Sequence, residues 1–305
     1  MSKIPLIVVA GPTASGKTAL AIDIAKALGT EIVNADSMQI YKYMDIGTAK
    51  PTKEEQAQAK HHLIDFLEPD AEFSVADYCY LAHEKIAQIT ESFGCSVMTG
   101  GTGLYINSVV DDVDFGEIET DYSIREYYTN IANTEGGEKL IEILAEFDPE
   151  NAKRLHPNNV KRVVRAIEFY KTTGIPISEH QKMTKQKESR YEPIMLMPSW
   201  DRNVLYERIN KRVDIMVKNG LLDEVKGLWE MGFTRDLNSM QGIGYKEIFD
   251  YLDGICTLEE AIDKIKQGSR NYAKRQITWF KRDKRIHLLD ANSDMLKTAL
   301  EIIKG

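Results

Sequence analysis

The stretch Gly11-Pro-Thr-Ala-Ser-Gly-Lys-Thr18 fits G-x-x-x-x-G-K-[ST], the pattern of a phosphate-binding loop. It follows an apolar, β-branched run at 4–10 and precedes a segment with helical spacing that ends before Gly29. The pattern is informative only between a strand and a helix, and the sequence predicts both here. In such a loop, backbone N–H groups at the helix N-terminus face the phosphates, the lysine neutralises them and the hydroxyl ligates Mg²⁺. We therefore expect a bound diphosphate, with Thr18 as the Mg²⁺ ligand. The phosphate-binding residues would be Gly11, Pro12, Thr13, Ala14, Ser15, Gly16, Lys17 and Thr18.

Further strands are predicted at residues 31–35, 95–99 and 193–197, with helical segments between them. This alternation predicts an α/β fold in which a parallel sheet core, carrying the phosphate-binding loop, is flanked by helices. An acidic stretch at 111–121 marks a shift in composition, and almost no strand signal follows it up to about residue 180. We expect a catalytic core of residues 1–111 and 190–305 that is interrupted by a mostly helical insertion at 112–189.

The bulk composition excludes several classes of protein. A net charge of -8 over 305 residues argues against a surface coated with nucleic acid, although a local basic surface is still allowed. The three cysteines have no spacing typical of a zinc site or a disulfide framework, which fits a reducing cytoplasm. The apolar run at 4–10 is far too short to span a bilayer, so we expect no membrane partner.

The phosphate-binding loop does not by itself decide the chemistry, because kinases, NTPases and other enzymes that clamp a diphosphate all use it. The apolar strand at 95–99 lacks the terminal carboxylate of a motor or GTPase. Asp36 follows another strand, at the sheet edge where open α/β folds place their sites. It could accept a proton or help to hold Mg²⁺, or it could simply cap the next turn. Ser37, Met38 and Gln39 follow it, and the hydroxyl and amide could read a base edge.

Two arginines, Arg208 and Arg212, are spaced i,i+4 and project from one face of a predicted amphipathic helix that breaks at Gly220. Such a pair suits a diphosphate because each guanidinium is a planar fork of donors with a fixed charge. Spacing alone, however, favours solvated surface charges.

Basic residues are concentrated in two places. Residues 153–171 carry six Lys or Arg and one acid, Glu168. Residues 264–285 carry nine Lys or Arg and one acid, Asp283, interleaved with Tyr272, Trp279 and Phe280. In an acidic chain, these concentrations indicate surfaces for a polyanion.

Together these motifs resemble one family, the tRNA dimethylallyltransferases, also called tRNA isopentenyltransferases. The resemblance covers nearly the whole chain and rests on nine blocks in family order. Without a Cys/His cluster near its end, the chain is similar to the short bacterial form. The blocks are residues 11–18, Asn34-Ala-Asp-Ser-Met-Gln39, Met44-Asp-Ile-Gly-Thr-Ala-Lys-Pro51, His61-His-Leu-Ile-Asp65, Thr99-Gly-Gly-Thr-Gly-Leu-Tyr105, Lys161-Arg-Val-Val-Arg-Ala166, Leu205-Tyr-Glu-Arg-Ile-Asn210, Gln241-Gly-Ile-Gly-Tyr-Lys246 and Tyr272-Ala-Lys-Arg-Gln276.

The resemblance implies transfer of a dimethylallyl group from dimethylallyl diphosphate to N6 of the adenosine 3′ of the tRNA anticodon, at position 37, with Mg²⁺ as cofactor. It implies that Asp36 is the general base, that Lys17 and Arg212 stabilise the leaving diphosphate together with Arg208, and that Thr18 contacts Mg²⁺. We expect a monomer whose helical insertion binds the anticodon stem-loop. The implied tRNA contacts are Asp36, Ser37, Met38, Gln39, Thr102, Arg125, Lys161, Arg162, Val163, Val164, Arg165, Gln241, Gly242, Ile243, Gly244, Tyr245 and Lys246.

Three other functions are consistent with parts of the sequence. An enzyme that prenylates free AMP, ADP or ATP shares the phosphate-binding loop and the aspartate, but its small acceptor needs no large basic insertion. A small-molecule kinase would use residues 161–165 as a lid over ATP. An RNA-binding module with a structural nucleotide fits least well, because Asp36 and the arginine pair accompany the loop.

Overall fold

The computed structural model describes residues 3–115, 121–186 and 188–305. The chain divides into a core unit, Met1–Val110 with Arg190–Gly305, and a second unit, Asp111–Ser189. Residues 116–120 of the acidic stretch lie outside the described residues. The functions expected of the two units stay predictions.

Strands and helices alternate along the core unit. The strands are β1 (Ile4–Ala10), β2 (Ile32–Asn34), β3 (His61–His62), β4 (Ser96–Gly100), β5 (Tyr191–Ser199) and β6 (Ile286–Asp290). The helices in chain order are α1 (Lys17–Leu28), α2 (Lys53–Gln58), α3 (Val75–Phe93), α4 (Gly103–Val110), α5 (Tyr122–Glu135), α6 (Gly137–Ala145), α7 (Pro149–Arg154), α8 (Val160–Thr173), α9 (Ile177–Gln186), α10 (Arg202–Lys218), α11 (Leu221–Glu230), α12 (Tyr245–Leu252), α13 (Leu258–Phe280) and α14 (Met295–Lys304). Helices α5 to α9 belong to the second unit.

The strands form one parallel sheet in the order β3-β2-β4-β1-β5-β6. β1 is central, and its Val8 lies beside Met98 of β4 and Met195 of β5. The side chains of β1 from Leu6 onward are buried, as expected for a strand that helices cover on both faces. The predicted α/β class with a parallel sheet is confirmed. After the second unit, the chain returns to the sheet as β5, which pairs with β1 on the side opposite β4.

Two strands, β3 and β6, were not predicted from the sequence. β3 has only two residues, and β6 lies at the edge of the sheet with mostly exposed side chains. Neither therefore shows the apolar run that identifies a buried strand. The predicted break between the two helices at Gly220 is present, since this residue is the N-cap of α11 in the left-handed conformation.

A close backbone approach fixes the loops at the carboxyl edge of the sheet. At Gly100, the last residue of β4, a Cβ atom would lie 2.1 Å from the carbonyl oxygen of Ala35. Only glycine allows this contact. The segments that follow β2 and β4 consequently touch, and Thr102 donates its N–H to Ala35 O at 3.2 Å.

The second unit is helical in all the regular elements that the structure describes between residues 111 and 189. Its core consists of apolar side chains from α6, α7 and α8, including Leu140, Leu144 and Ile167. This arrangement agrees with the mostly helical insertion that we expected. Within the described ranges, no helix of either unit is both long and apolar enough to cross a membrane.

Candidate active site

The loops that follow β1, β2 and β4 meet at the carboxyl edge of the sheet, where parallel α/β folds bind ligands. A cavity of about 360 Å³ lies there, within the core unit. Its lining combines cationic, acidic and apolar side chains. The predicted site residues in this lining are Thr13, Lys17, Thr18, Asp36, Ser37, Met38, Gln39, Arg212, Gln241, Gly242, Ile243, Gly244, Tyr245 and Lys246.

The phosphate-binding loop is held from outside by a tryptophan and an arginine. Trp200 Nε1 donates to Ser15 O at 2.8 Å, and Arg208 Nε donates to Ala14 O at 3.0 Å. The Arg208 guanidinium also lies over the Trp200 ring, 4.2 Å from its centroid. Ala14 adopts a left-handed φ of 61°, which is strained for a residue with a Cβ atom. The two donors therefore stabilise a turn that the loop sequence alone does not favour.

Thr13 is held on both its backbone and its side chain. Its N–H donates to Gln276 Oε1 at 3.0 Å, and its hydroxyl accepts a longer contact of 3.4 Å from Arg212 Nη1. Gln276 is buried in α13 and also donates to Gly101 O at 2.9 Å, so it joins the segments that follow β1 and β4. No role in the site was predicted for Gln276. Its block in the family resemblance was the available signal, but the block did not reveal this contact.

The arginine pair contradicts the expectation from spacing alone. Arg208 and Arg212 do not simply project into solvent, because both contact the phosphate-binding loop. α10 packs its apolar side chains Leu205 and Ile209 in a cluster with Ala14 of that loop. This packing brings the two arginines to the loop. Of this i,i+4 pair, Arg212 lines the cavity, whereas Arg208 holds the loop backbone.

Lys17 provides the most strongly perturbed cation of the cavity. Burial and, to a lesser extent, the nearby Arg212 lower the pKa of the Lys17 ammonium to about 8, although Asp36 acts in the opposite direction. Burial likewise lowers the pKa of Arg212. Two cations that are held close together with little solvent favour the binding of an anion between them.

Asp36 lies in a turn of well-defined geometry beside these cations. Its Oδ1 accepts the Met38 N–H at 3.0 Å, so the aspartate does cap the turn that follows β2. The N–H of Ser37, which lies between these two residues, donates to Thr102 Oγ1 at 2.9 Å. The Thr102 hydroxyl also lies 3.2 Å from Ser37 Oγ. Capping uses one carboxylate oxygen and fixes the side chain at the cavity. The capping interpretation and the general-base interpretation are therefore compatible.

One part of the cavity wall is apolar. Ile209, Val213, Met216 and Ile265 contribute side chains to it. Burial and the nearby Asp36 raise the pKa of Tyr272, another wall residue, to about 12, so its hydroxyl stays protonated. The cavity can thus accept a molecule with a doubly charged end and an apolar end.

A magnesium ion would find oxygen ligands of the right kind here. The Thr18 hydroxyl and the Asp36 carboxylate both line the cavity. In the described residues, no group of three or more His, Cys, Asp or Glu is suited to hold a metal alone. Mg²⁺ commonly keeps its waters and binds through one or two protein oxygens plus substrate phosphates. The residues present therefore fit Mg²⁺ that arrives with a diphosphate.

In the second unit, the predicted residues differ sharply in exposure. Lys161 and Arg162 are exposed on α8. Arg125 and Arg165 are partly exposed and both pair with the fully buried Glu168, at 3.0 Å and 2.9 Å from its Oε2.

The prediction that Val163 and Val164 contact RNA needs correction. Both side chains are buried in the apolar core of the unit, with exposures of 0% and 4%. Their side chains cannot reach a ligand at the surface, and the basic residues on either side of them are the exposed part of this block.

Comparison with known proteins places these features in one family. The family model described as IPP transferase matches residues 39–283. The tRNA dimethylallyltransferase of Thermoanaerobacter sp. (strain X514) is 51% identical over 280 residues, which cover 91% of this chain and 89% of that protein. The protein of the same name from Lachnoclostridium phytofermentans is 47% identical and covers 98% of this chain and 99% of its own length.

Solved structures agree with these relatives. The full-length tRNA isopentenylpyrophosphate transferase of Bacillus halodurans superposes with a TM-score of 0.72 at 44% identity, covering 99% of this chain and 95% of that one. A eukaryotic dimethylallyltransferase acting on tRNA gives a TM-score of 0.83 at 29% identity, covering 96% of this chain and 75% of that chain.

We predict that affinity for an alkyl diphosphate decreases as the pH rises through about 8, because Lys17 then loses its proton in the free protein. The decrease should approach about tenfold per pH unit above that point. Isothermal titration calorimetry from pH 7 to 9.5 would measure it, with a ligand whose own charge is constant over this range. Lys17→Arg should abolish the slope, and Lys17→Met should bind weakly throughout. A wild-type affinity independent of pH would contradict the assignment.

Proposed function

This chain belongs to the tRNA dimethylallyltransferase family, and on that premise we propose that it transfers a dimethylallyl group from dimethylallyl diphosphate to N6 of adenosine 37 of tRNA. The nucleotide lies immediately 3′ of the anticodon, and the products are N6-isopentenyladenosine and diphosphate. The observation that carries the proposal is one cavity that combines the charged side chains of Lys17, Arg212 and Asp36 with an apolar part of its wall.

Lys17 and Arg212 would bind the diphosphate and stabilise the charge that develops as the bond between C1 of the dimethylallyl group and oxygen breaks. Their partial burial supports this role, since cations act most strongly on developing charge where water is excluded. Arg208 and Trp200 would act through the loop backbone, which they hold in place. Mg²⁺, bound through Thr18 and the diphosphate, would supply further neutralisation of the leaving group.

Asp36 would accept the proton of the attacking amine. The lone pair of an exocyclic adenine amine is delocalised into the ring, so N6 is a poor nucleophile. As the new N6–C1 bond forms, the proton on nitrogen becomes acidic and passes to a carboxylate oxygen of Asp36. The capping bond from Met38 N–H occupies Oδ1 and orients the side chain for this transfer.

The base must leave its stack to enter the cavity, and unpaired loop bases do so at low cost. Ser37, Met38, Gln39 and residues 241–246 line the cavity and would contact the extruded base or its neighbours. In the second unit, Lys161 and Arg162, with Arg125 and Arg165, would bind the backbone of the anticodon stem-loop. The three cysteines, all within the described part of the chain, form no disulfide, which fits work in a reducing cytoplasm, and the monomeric state stays a prediction.

The decisive experiment incubates the purified protein with Mg²⁺ and dimethylallyl diphosphate and offers unmodified tRNA and AMP as competing acceptors. We expect mass spectrometry of the digested tRNA to show a prenyl-sized mass gain on the adenosine 3′ of the anticodon. A gain on AMP instead would assign the enzyme to free adenylates. ATP hydrolysis without any prenyl transfer would favour a kinase.

Replacement of Asp36 by Asn should lower the single-turnover rate about 10²- to 10⁴-fold, because a positioned base is lost. Binding of tRNA and of dimethylallyl diphosphate should stay close to wild type. Rapid-quench single-turnover assays would measure the rate, with Asp23→Asn on the exposed face of α1 as the matched control. A rate within a few-fold of wild type would remove Asp36 from the base role.

Replacing both Lys161 and Arg162 by Ala should weaken tRNA binding and make it less dependent on salt. Each phosphate contact that is lost reduces the slope of log affinity against log salt concentration by about one unit. Filter binding over a series of salt concentrations would measure the slope. Lys139→Ala on α6, outside the basic cluster, is the control. Equal slopes for the double variant and wild type would place the two residues away from the RNA.

A further inference from the structure

A carboxylate outside the proposed chemistry joins two segments of the cavity wall. Glu224 of α11 accepts four hydrogen bonds. Its Oε2 accepts the N–H groups of Asp45 at 2.9 Å and Ile46 at 2.7 Å, and its Oε1 accepts the N–H of Gly47 at 3.0 Å. Tyr245 donates its hydroxyl to the same Oε1 at 2.7 Å. The three N–H groups come from one turn, whereas Tyr245 begins α12.

Both segments reach the cavity. Gly47, Thr48 and Ala49 line it, and we call residues 45–49 the wall turn. Tyr245 lies in the wall segment 241–246. The two pack directly, because a Cβ atom at Gly47 would lie 2.6 Å from the Tyr245 ring. Glu224 and the missing side chain at Gly47 together set the distance between the segments.

The other contacts of the wall turn also lead to the proposed tRNA side of the cavity. Gln39 donates its Nε2 to Thr48 O at 3.1 Å and to Ala49 O at 3.0 Å. The wall turn is therefore joined to Gln39 on one side and to Tyr245 on the other, and the proposed function places both at the tRNA. The hydrogen bonds of Glu224 reach neither Lys17 nor Arg212.

The chemistry of this junction requires a carboxylate. Four donors converge on two oxygens, and an ionised carboxylate is the side chain that only accepts. Burial and the Glu224 carboxylate raise the pKa of Tyr245 well above its usual value, so the hydroxyl remains a donor. A glutamine of the same size would turn an NH₂ group toward one pair of these donors and leave them without an acceptor.

We propose that Glu224 is a positioning residue that fixes the spacing between the wall turn and Tyr245 and thereby shapes the pocket for the acceptor adenine. The inference rests on the proposed function, since it takes tRNA as the acceptor. Glu224 would then contribute to recognition of the acceptor and would have no part in binding the diphosphate.

The test is steady-state prenylation by Glu224→Gln with each substrate varied in turn. We expect the KM for tRNA to rise about tenfold, because one pair of donors at this junction loses its acceptor. The KM for dimethylallyl diphosphate should stay within about twofold, because the contacts of the phosphate-binding loop are unchanged. Tyr245→Phe, which removes one of the four bonds, should raise the KM for tRNA less, by about three- to fivefold.

Glu230→Gln, an exposed change on the same helix, is the matched control and should leave both KM values at the wild-type level. Gly47→Ala separates the segments without altering Glu224 and should raise the KM for tRNA as well. If Glu224→Gln does not fold by circular dichroism, Tyr245→Phe and Gly47→Ala decide the question.

Unchanged KM values for tRNA, or equal rises for both substrates, would overturn the positioning role. Failure of the wild-type enzyme to prenylate any tRNA would instead overturn the proposed function, so the two failures are distinguishable.

Discussion

The hydrogen bonds that distant side chains form with the backbone of the phosphate-binding loop are the constraint on which the rest of the site depends. Trp200 and Arg208 bind the carbonyls of Ser15 and Ala14, and Gln276 accepts the N–H of Thr13. These partners lie 185 to 263 residues away in sequence. The strained turn of the loop depends on the pairing of β5 with β1 and on the packing of α10 and α13 against the loop, so the site requires the complete core fold.

The same constraint explains how the chain tolerates a second unit in its middle. The second unit leaves the core after α4 and the chain returns at β5, which pairs with β1 along six residues from Ile4 to Val9. Insertions between elements are tolerated where the flanking strands keep their own pairing. Because β5 leads directly into Trp200 and α10, restoring this pairing also restores the anchors of the loop.

Features that depend on local sequence pattern were predicted, and features that depend on contacts between segments far apart in sequence were missed. The loop, α1, β4, β5 and the break at Gly220 follow from local spacing and turn residues, and all are present. β6 was missed because an edge strand with exposed side chains has no apolar run. Spacing placed Arg208 and Arg212 on one helix face but could not show that this face meets the loop. Gln276 and Glu224 act through contacts with segments far away in sequence, for which no local signal exists.

Two ligands of like charge require opposite kinds of surface, and the proposed function assigns these surfaces to separate parts of the chain. A small diphosphate is bound best by few cations in a dry cavity, and burial is what lowers the pKa of Lys17 to about 8. A large polyanion is bound by many exposed cations, each worth little, as Lys161 and Arg162 would provide. A net charge of -8 limits non-specific binding of RNA elsewhere on the surface. Buried Glu168 serves the same end, since it partly neutralises Arg125 and Arg165 and fixes their direction. Under the proposed function, selectivity for one RNA structure would then come from the placement of a few charges and not from a large total electrostatic attraction.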